Sequence, residues 1–195
     1  MQTDSLAAWY GALREAARDA YPEKAEKLVF GEGQIKPALM LVGEAPGAQE
    51  EKLGRPFVGK AGENLDRFLE LSGLKREEIY ISNVVKYRPD RLSDSGRLVN
   101  RTPTGREIEW FRPWLLEEIR RVSPSVVATL GNTALHALAG NDVNIGDVHG
   151  RLLHTDTLSC PLFALYHPAS IIYNRSLEPV YEEDVRTLAA QLGGN

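Results

Sequence analysis

The 195-residue chain has one cysteine, four histidines and three tryptophans, and no strong charge of either sign. One cysteine excludes an internal disulfide, a thiolate zinc site and an iron–sulfur cluster held by one chain, and it fits a reducing compartment. No run approaches the ~18–20 apolar residues of a membrane span. The first twenty residues are broken by Asp4, Arg14, Glu15, Arg18 and Asp19, so they hold no signal-peptide core. A cytoplasmic protein is expected. Lys and Arg number 23 against 27 Asp and Glu, a balance of −4 that argues against coating nucleic acid by charge alone. Nor is there a phosphate loop: Gly59-Lys60-Ala61 lacks the hydroxyl that the Walker pattern needs after its lysine.

What is present is the composition of a soluble globule, 43% hydrophobic and 26% charged. Residues 4–20 have helical spacing, stopped by Pro22, and residues 1–28 are expected to form an N-terminal helical segment packed on the core of a single domain. Four apolar runs read as buried strands: Ala38–Val42, Ile79–Ile81 continuing to Asn83, Ser125–Leu130, and Leu162–Tyr166. Continuous rather than alternating apolar residues suit a parallel sheet covered on both faces. Helical patterns lie between them at Ala61–Leu74, after the capping box Thr104-x-x-Glu107, and at Thr133–Ala139; another follows at Val180–Leu192. The alternation predicts an α/β fold, three layers α/β/α about a central four-stranded parallel sheet.

Ligands of such folds bind beyond the carboxyl ends of the strands. Those exits carry Gly43-Glu44-Ala45-Pro46-Gly47, Asn83, Gly131-Asn132 and His167-Pro168-Ala169-Ser170. A carboxylate, an amide and an imidazole thus converge where a flat heterocycle could be read. Each alone has a plainer reading, as a turn residue or a structural histidine. The segment from Gly43 to Gly62 reads as a long loop whose apolar Pro56-Phe57-Val58 needs something to pack on, either as a core plug or as a platform for a base. From Asn83 to Arg106 the chain carries six basic and two acidic residues, a local +4 that leaves −8 elsewhere. A flexible basic stretch beside a strand exit can grip phosphates. Cys160 has no basic neighbour and reads as an inert thiol.

Taken in order, Gly43-Glu44-Ala45-Pro46-Gly47, Gly54-Arg55-Pro56-Phe57-Val58-Gly59-Lys60-Ala61-Gly62, Asn83-Val84-Val85-Lys86, Asn100-Arg101-Thr102-Pro103 and His167-Pro168-Ala169 resemble the uracil-DNA glycosylase superfamily, nearest to its family 4, from about Val29 to the C-terminus. The resemblance implies removal of uracil from single- or double-stranded DNA by a monomeric hydrolase that leaves an abasic site. It implies that Phe57 stacks on the base, Asn83 bonds the uracil edge, and His167 donates to O2. The turn of Gly43, Glu44 and Ala45 supplies backbone contacts, with Glu44 orienting the attacking water. Ala45 stands where the best-studied branch has an aspartate base. Gly47 stands where that branch has a tyrosine that excludes thymine, so exclusion falls to Phe57 and its loop. DNA contacts are expected from Lys60, Lys86, Arg88, Arg101, Ser170 and Arg175, with Ile171, Ile172 or Tyr173 as the wedge filling the space of the flipped base. Family 4 members usually hold a [4Fe–4S] cluster on four cysteines; here Tyr87 and Phe111 occupy two ligand positions, so no cluster is expected, and these rings with Trp9 or Leu13 fill the space. Two readings stand beside this one: a glycosylase for hypoxanthine or xanthine, and a uracil-DNA-binding protein without turnover.

Overall fold

The computed structural model describes residues 5–71 and 73–193, without the side chain of Phe68. Residues 1–4 of the expected N-terminal segment and Ser72 of the expected helix Ala61–Leu74 therefore lie outside the described residues. Four strands form the parallel centre: β2 (Leu39–Gly43), β3 (Tyr80–Asn83), β6 (Val126–Leu130) and β8 (Leu162–Leu165), in spatial order β3-β2-β6-β8. The sheet is wider than expected. β1 (Glu32–Gly33) and β7 (Leu152–Leu153) add antiparallel edges and make it six-stranded. Two-residue strands bury too little to leave an apolar run, which is why the sequence pattern missed them.

Alternate residues of each strand point to opposite faces. Met40, Val42, Tyr80, Val127, Leu162 and Ala164 meet α1 (Leu6–Ala20), α4 (Gly105–Val122) and α5 (Asn132–Ala139) through Trp9, Leu13, Phe111, Leu115, Ala134 and Leu135. Leu39, Leu41, Ile81, Ala128, Leu130 and Phe163 meet α3 (Lys60–Leu71), α7 (Pro168–Tyr173) and α8 (Glu178–Gly193) through Leu65, Leu69, Ile171, Tyr181 and Leu188. These are the two outer layers of the α/β/α sandwich. The Thr104 capping box forms as read: Thr104 Oγ1 accepts from the Glu107 N–H, and Glu107 Oε2 accepts from the Thr104 N–H at 2.6 Å.

Two stretches differ from the sequence reading. The segment 43–62 is not a structureless loop, because α2 (Ala48–Leu53) forms within it, after Pro46 turns the chain. The basic stretch 83–106 is not irregular. It folds into a hairpin of β4 (Asp90–Leu92) and β5 (Leu98–Asn100), closed by Asp94-Ser95-Gly96 with Gly96 at φ +74°. A one-turn helix, α6 (Ile145–Val148), completes the elements. Among the described residues no helix is long and apolar enough to cross a membrane.

Candidate active site

β2 is the first of the four parallel strands along the chain, and its neighbours β3 and β6 lie on opposite sides of it. The crossovers therefore diverge at β2 and open a crevice at the carboxyl ends of the strands. Glu44 follows β2, and Thr133 opens α5 after β6. The Thr133 hydroxyl donates to Glu44 Oε2 across the crevice at 2.5 Å. A cavity of about 520 Å³ lies there, lined by Glu44, Phe57, Asn83 and His167, with Gly47, Glu50, Lys60, Asn100, Arg101, Ile172 and Tyr173 around them. The structure thus brings together the carboxylate, amide, imidazole and ring that the sequence singled out separately.

Asn83 ends β3 with 2% of its surface exposed, and its Oδ1 has no hydrogen-bond partner among the described residues. A buried acceptor left unpaired costs about 1–3 kcal/mol unless a ligand supplies the donor. The main chain beneath it is fixed from inside: Lys86 Nζ donates to the Asn83 carbonyl at 2.7 Å and to Ser82 Oγ at 2.7 Å, and it pairs with Glu118. Tyr10 of α1 also donates to Glu118, at 2.5 Å, and Ser82 to the same carboxylate. Lys86 is wholly buried, and the cost of burying it lowers its pKa against the pull of Glu118. Lys86 therefore cannot meet DNA as expected; the sequence showed its charge but not that an acidic residue of α4 faces it.

Phe57 is buried with φ +52°, a left-handed conformation that a bulky side chain rarely adopts. Several contacts hold it there. Glu50 Oε1 accepts from the N–H groups of Val58 (3.0 Å) and Gly59 (2.8 Å), while Glu50 Oε2 accepts from that of Gly47 (3.1 Å). Arg76 donates to the Pro56 carbonyl at 2.5 Å. The backbone of Phe57 lies against Gly62, where a Cβ would stand 1.9 Å from the Phe57 carbonyl oxygen, so only glycine fits. Phe57 packs into the core beside Leu65 and Leu69, as a core plug would, and it also lines the cavity. Glu50 was missed, although it stands at the third position of a helix capped by Gly47, the capping-box spacing.

The ring of His167 lies 6.1 Å from that of Phe57, centroid to centroid. His167 caps α7, and its Nδ1 accepts from the Ala169 N–H at 3.1 Å. That fixes the neutral tautomer with its proton on Nε2. Desolvation lowers the pKa to about 4, so the ring is a neutral donor at ordinary pH.

Of the other expected DNA contacts, Lys60 and Arg175 are exposed, and Lys60 is at the cavity. Ser170 is half-buried on α7, away from the cavity lining. Arg88 is turned inward, donating to Asn100 Oδ1 at 2.7 Å and to the Leu98 carbonyl, and it is not a surface contact as expected. Arg101 is half-buried and held by both oxygens of Glu107 at 2.7 Å. Ile171 faces the core, which removes it as a wedge and leaves Ile172 and the 89% exposed Tyr173 at the rim. His136, His149 and His154 stand outside the cavity lining; His149 Nδ1 bonds Asp184 at 2.8 Å. Burial pushes the Cys160 thiol up, in keeping with an unreactive cysteine.

Tyr87 and Phe111 pack edge to face at 5.7 Å, and Tyr21 lies 5.2 Å from Tyr87 and 5.9 Å from Phe111. Trp9 and Leu13 belong to the same core. The Tyr87 hydroxyl donates to Glu107. Burial alone would raise that carboxyl, but bonds from Arg101, Tyr87 and Thr104 outweigh it and hold it at about 2. Rings and an ion pair stand where thiolates would be needed, so these residues do not fit an iron–sulfur cluster.

Comparison with known proteins agrees with this geometry. Residues 30–189 match the profile of the Uracil DNA glycosylase superfamily. The chain is 40% identical over 153 residues to a type-4 uracil-DNA glycosylase of Thermotoga maritima, covering 77% of this chain and 74% of that protein. It is 37% identical over 172 residues to the type-4 enzyme of Pyrobaculum aerophilum (85% and 82%) and 36% over 167 residues to that of Sulfurisphaera tokodaii (82% and 72%).

Proposed function

The chain belongs to the uracil-DNA glycosylase superfamily, and from that premise we propose that it hydrolyses the N-glycosidic bond of deoxyuridine in DNA, releasing uracil and leaving an abasic site for base-excision repair. The observation that carries this is the unpartnered Oδ1 of Asn83. Uracil offers an N3–H donor beside an O4 acceptor, and an amide answers both, the oxygen accepting and the nitrogen donating. Cytosine has neither the N3–H nor the O4, and would leave Asn83 Oδ1 unsatisfied in the interior. The three type-4 uracil-DNA glycosylases among the relatives support the same substrate.

The reacting base must leave the stack to enter the cavity, a step made cheaper where uracil is mispaired or the DNA is single-stranded. Phe57 stacks on the flipped ring, and Ile172 or Tyr173 at the rim fills the space it vacates. Lys60 and Arg175 meet phosphates, and Arg101 holds the hairpin root at the rim. As the C1′–N1 bond breaks, its electron pair goes to the base and spreads onto O2, while the sugar becomes cationic. The Nε2–H of His167 donates to O2 and stabilises that charge without having to transfer its proton. Water then adds its oxygen to C1′ and gives up a proton to Glu44, from which it passes through solvent to the departing uracil anion. The Glu44 carbonyl already accepts from the Val85 N–H at 3.0 Å, and Glu44 Oε2 from Thr133, so the carboxylate is the group left to orient this water. Gly43 and Ala45 let the base edge approach the turn, and Gly47 turns its N–H toward Glu50, whose carboxylate with Phe57 bars a C5-methyl.

In this reading the protein is a monofunctional, monomeric, single-domain enzyme of the bacterial or archaeal cytosol that carries no cluster. The test is incubation with single-stranded and duplex oligonucleotides containing uracil, hypoxanthine or xanthine. Uracil release is expected, with strand breaks only after alkali and no borohydride-trapped adduct, from a colourless protein. Cleavage of hypoxanthine or xanthine alone would move the assignment to that base. Binding without any cleavage would leave a uracil-DNA-binding protein, and a brown protein would contradict the absence of a cluster.

A further inference from the structure

Two exposed leucines remain unused by the site. Leu92 and Leu98 are direct cross-strand partners at the outer end of the β4–β5 hairpin, 68% and 57% exposed. A single exposed leucine is ordinary, but a facing pair on a two-stranded ribbon forms one apolar surface. Residues two apart on a strand share a face, so this pair lies on the same side of the ribbon as Asn100. Asn100, Pro89 and Arg101 line the cavity, which makes the root of the hairpin one wall of its mouth. The leucine pair continues that wall outward by about 7 Å, roughly two nucleotide steps. Ile172 and Tyr173 line the same cavity.

The charges of this stretch are sorted by position. Lys86 pairs with Glu118, Arg88 is turned inward against Asn100 and Glu51, Arg101 pairs with Glu107, and Asp90 pairs with Lys24. Arg91 and Arg97, which flank the leucines, are exposed and have no ion pair among the described residues. Asp94 is the one acid of the turn between them. By the same alternation Arg91, opposite Val99, points to the other face of the ribbon, and Arg97 stands one residue before Leu98 at the turn, so the outer hairpin offers an apolar pair on one face with free guanidiniums behind and beside it.

We propose that the β4–β5 hairpin is a second DNA-binding lip: Leu92 and Leu98 pack on bases or sugars beside the extruded nucleotide, while Arg91 and Arg97, projecting from the other face and the tip of the ribbon, draw in the phosphates that flank it. The occupant is DNA because the surface runs without a break from the cavity that takes the base, and its free charges are positive. Sugar and base faces accept leucine, and phosphates accept bidentate arginine. The inference rests on the glycosylase reading for the placement of the extruded nucleotide.

The test compares L92S/L98S and R91A/R97A with the parent protein on two substrates, a uracil-centred trinucleotide too short to reach the lip and a 20-base-pair duplex. For L92S/L98S, the KM on duplex is expected to rise about tenfold, with kcat and the trinucleotide KM within twofold. For R91A/R97A, the slope of log(kcat/KM) against log[salt] on duplex is expected to flatten by about 1–2. Equal loss on the trinucleotide would overturn the proposal, showing the hairpin to be a support for the pocket. Unchanged duplex KM and salt slope would overturn it as well, as would a parent dimer in sedimentation that the leucine variant dissolves. Fluorescence anisotropy with uracil-free duplex reads the same surface without chemistry, so weaker binding by both variants would support the lip even if the parent released no uracil.

Discussion

Lys86 Nζ donates to the main-chain carbonyl of Asn83 at 2.7 Å from inside the core, while the side chain of Asn83 lines the cavity and its buried Oδ1 has no hydrogen-bond partner among the described residues. The Asn83 main chain is thus held by a buried charge that lies outside the cavity lining. Breaking such a pair from one side typically costs 3–5 kcal/mol. Lys86→Met is therefore expected to lose about that much stability in denaturant unfolding, because Glu118 is left buried and uncompensated. Lys86→Met with Glu118→Gln keeps an acceptor for Tyr10 and Ser82 and should recover most of the loss. Both variants lack the donor to Asn83, so both should release uracil with kcat/KM about tenfold lower. Full activity in the stable double variant would confine Lys86 to the core.

Gly43 is the second restraint on Asn83. A Cβ there would stand 2.5 Å from both Asn83 Oδ1 and Phe57 Cζ, the far ends of two side chains. Gly43→Ala should fold, at a cost of about 1–3 kcal/mol for overpacking. It should lower kcat/KM on uracil oligonucleotides by at least about 100-fold, since a displacement of about 1 Å is worth that much. Melting and steady-state kinetics on the same preparation separate the two effects.

His167 should show no activity limb near the ordinary histidine value of 6.5. Burial lowers its pKa to about 4, so its donor stays neutral and unchanged from about pH 5 to 8. His167→Ala should lower kcat by about 10²–10³, the usual effect of removing one oxyanion donor. The sign of the stability effect follows from the lowered value. Between pH 6.5 and 4 the unfolded chain binds this proton and the folded chain does not, so the His167 contribution to stability falls as pH falls through that window. His167→Ala should flatten the stability curve there, as read by urea midpoints across pH.

Glu44 is expected to act through its carboxylate. Glu44→Gln should lower kcat by about 100-fold with KM little changed, the size of a general-base contribution. Thr133→Val, which releases Glu44 Oε2, should have a smaller effect in the same direction. Undiminished turnover in Glu44→Gln would leave the water to other groups.

Much of the fold was legible because it rests on continuous apolar runs. The four central strands and the helices α1, α3, α4, α5 and α8 each leave a periodic or unbroken signal. The edge strands, α2, α6 and the hairpin do not, because they are short and held by specific polar contacts. Glu50 gathering three N–H groups is an example: its role depends on residues eight and nine positions later. Lys86, Arg88 and Ile171, expected at the DNA surface, are buried for one reason. Sequence gives a residue's chemistry, and burial depends on which face of which neighbour it meets.

The sequence by itself determined the class of fold, the family, and the set of groups at the strand exits, because strand-forming runs and motif residues are local properties of the chain. Its single cysteine also determined that four thiolates cannot be assembled. Only the tertiary structure decided which charges face outward, since Glu118 reaches Lys86 from 32 residues away and Asn100 and Glu107 meet Arg88 and Arg101 only once the chain between them has folded. It also decided the protonation site of His167 and the unpaired state of Asn83, because both depend on the atoms that folding brings beside them and on the water it removes.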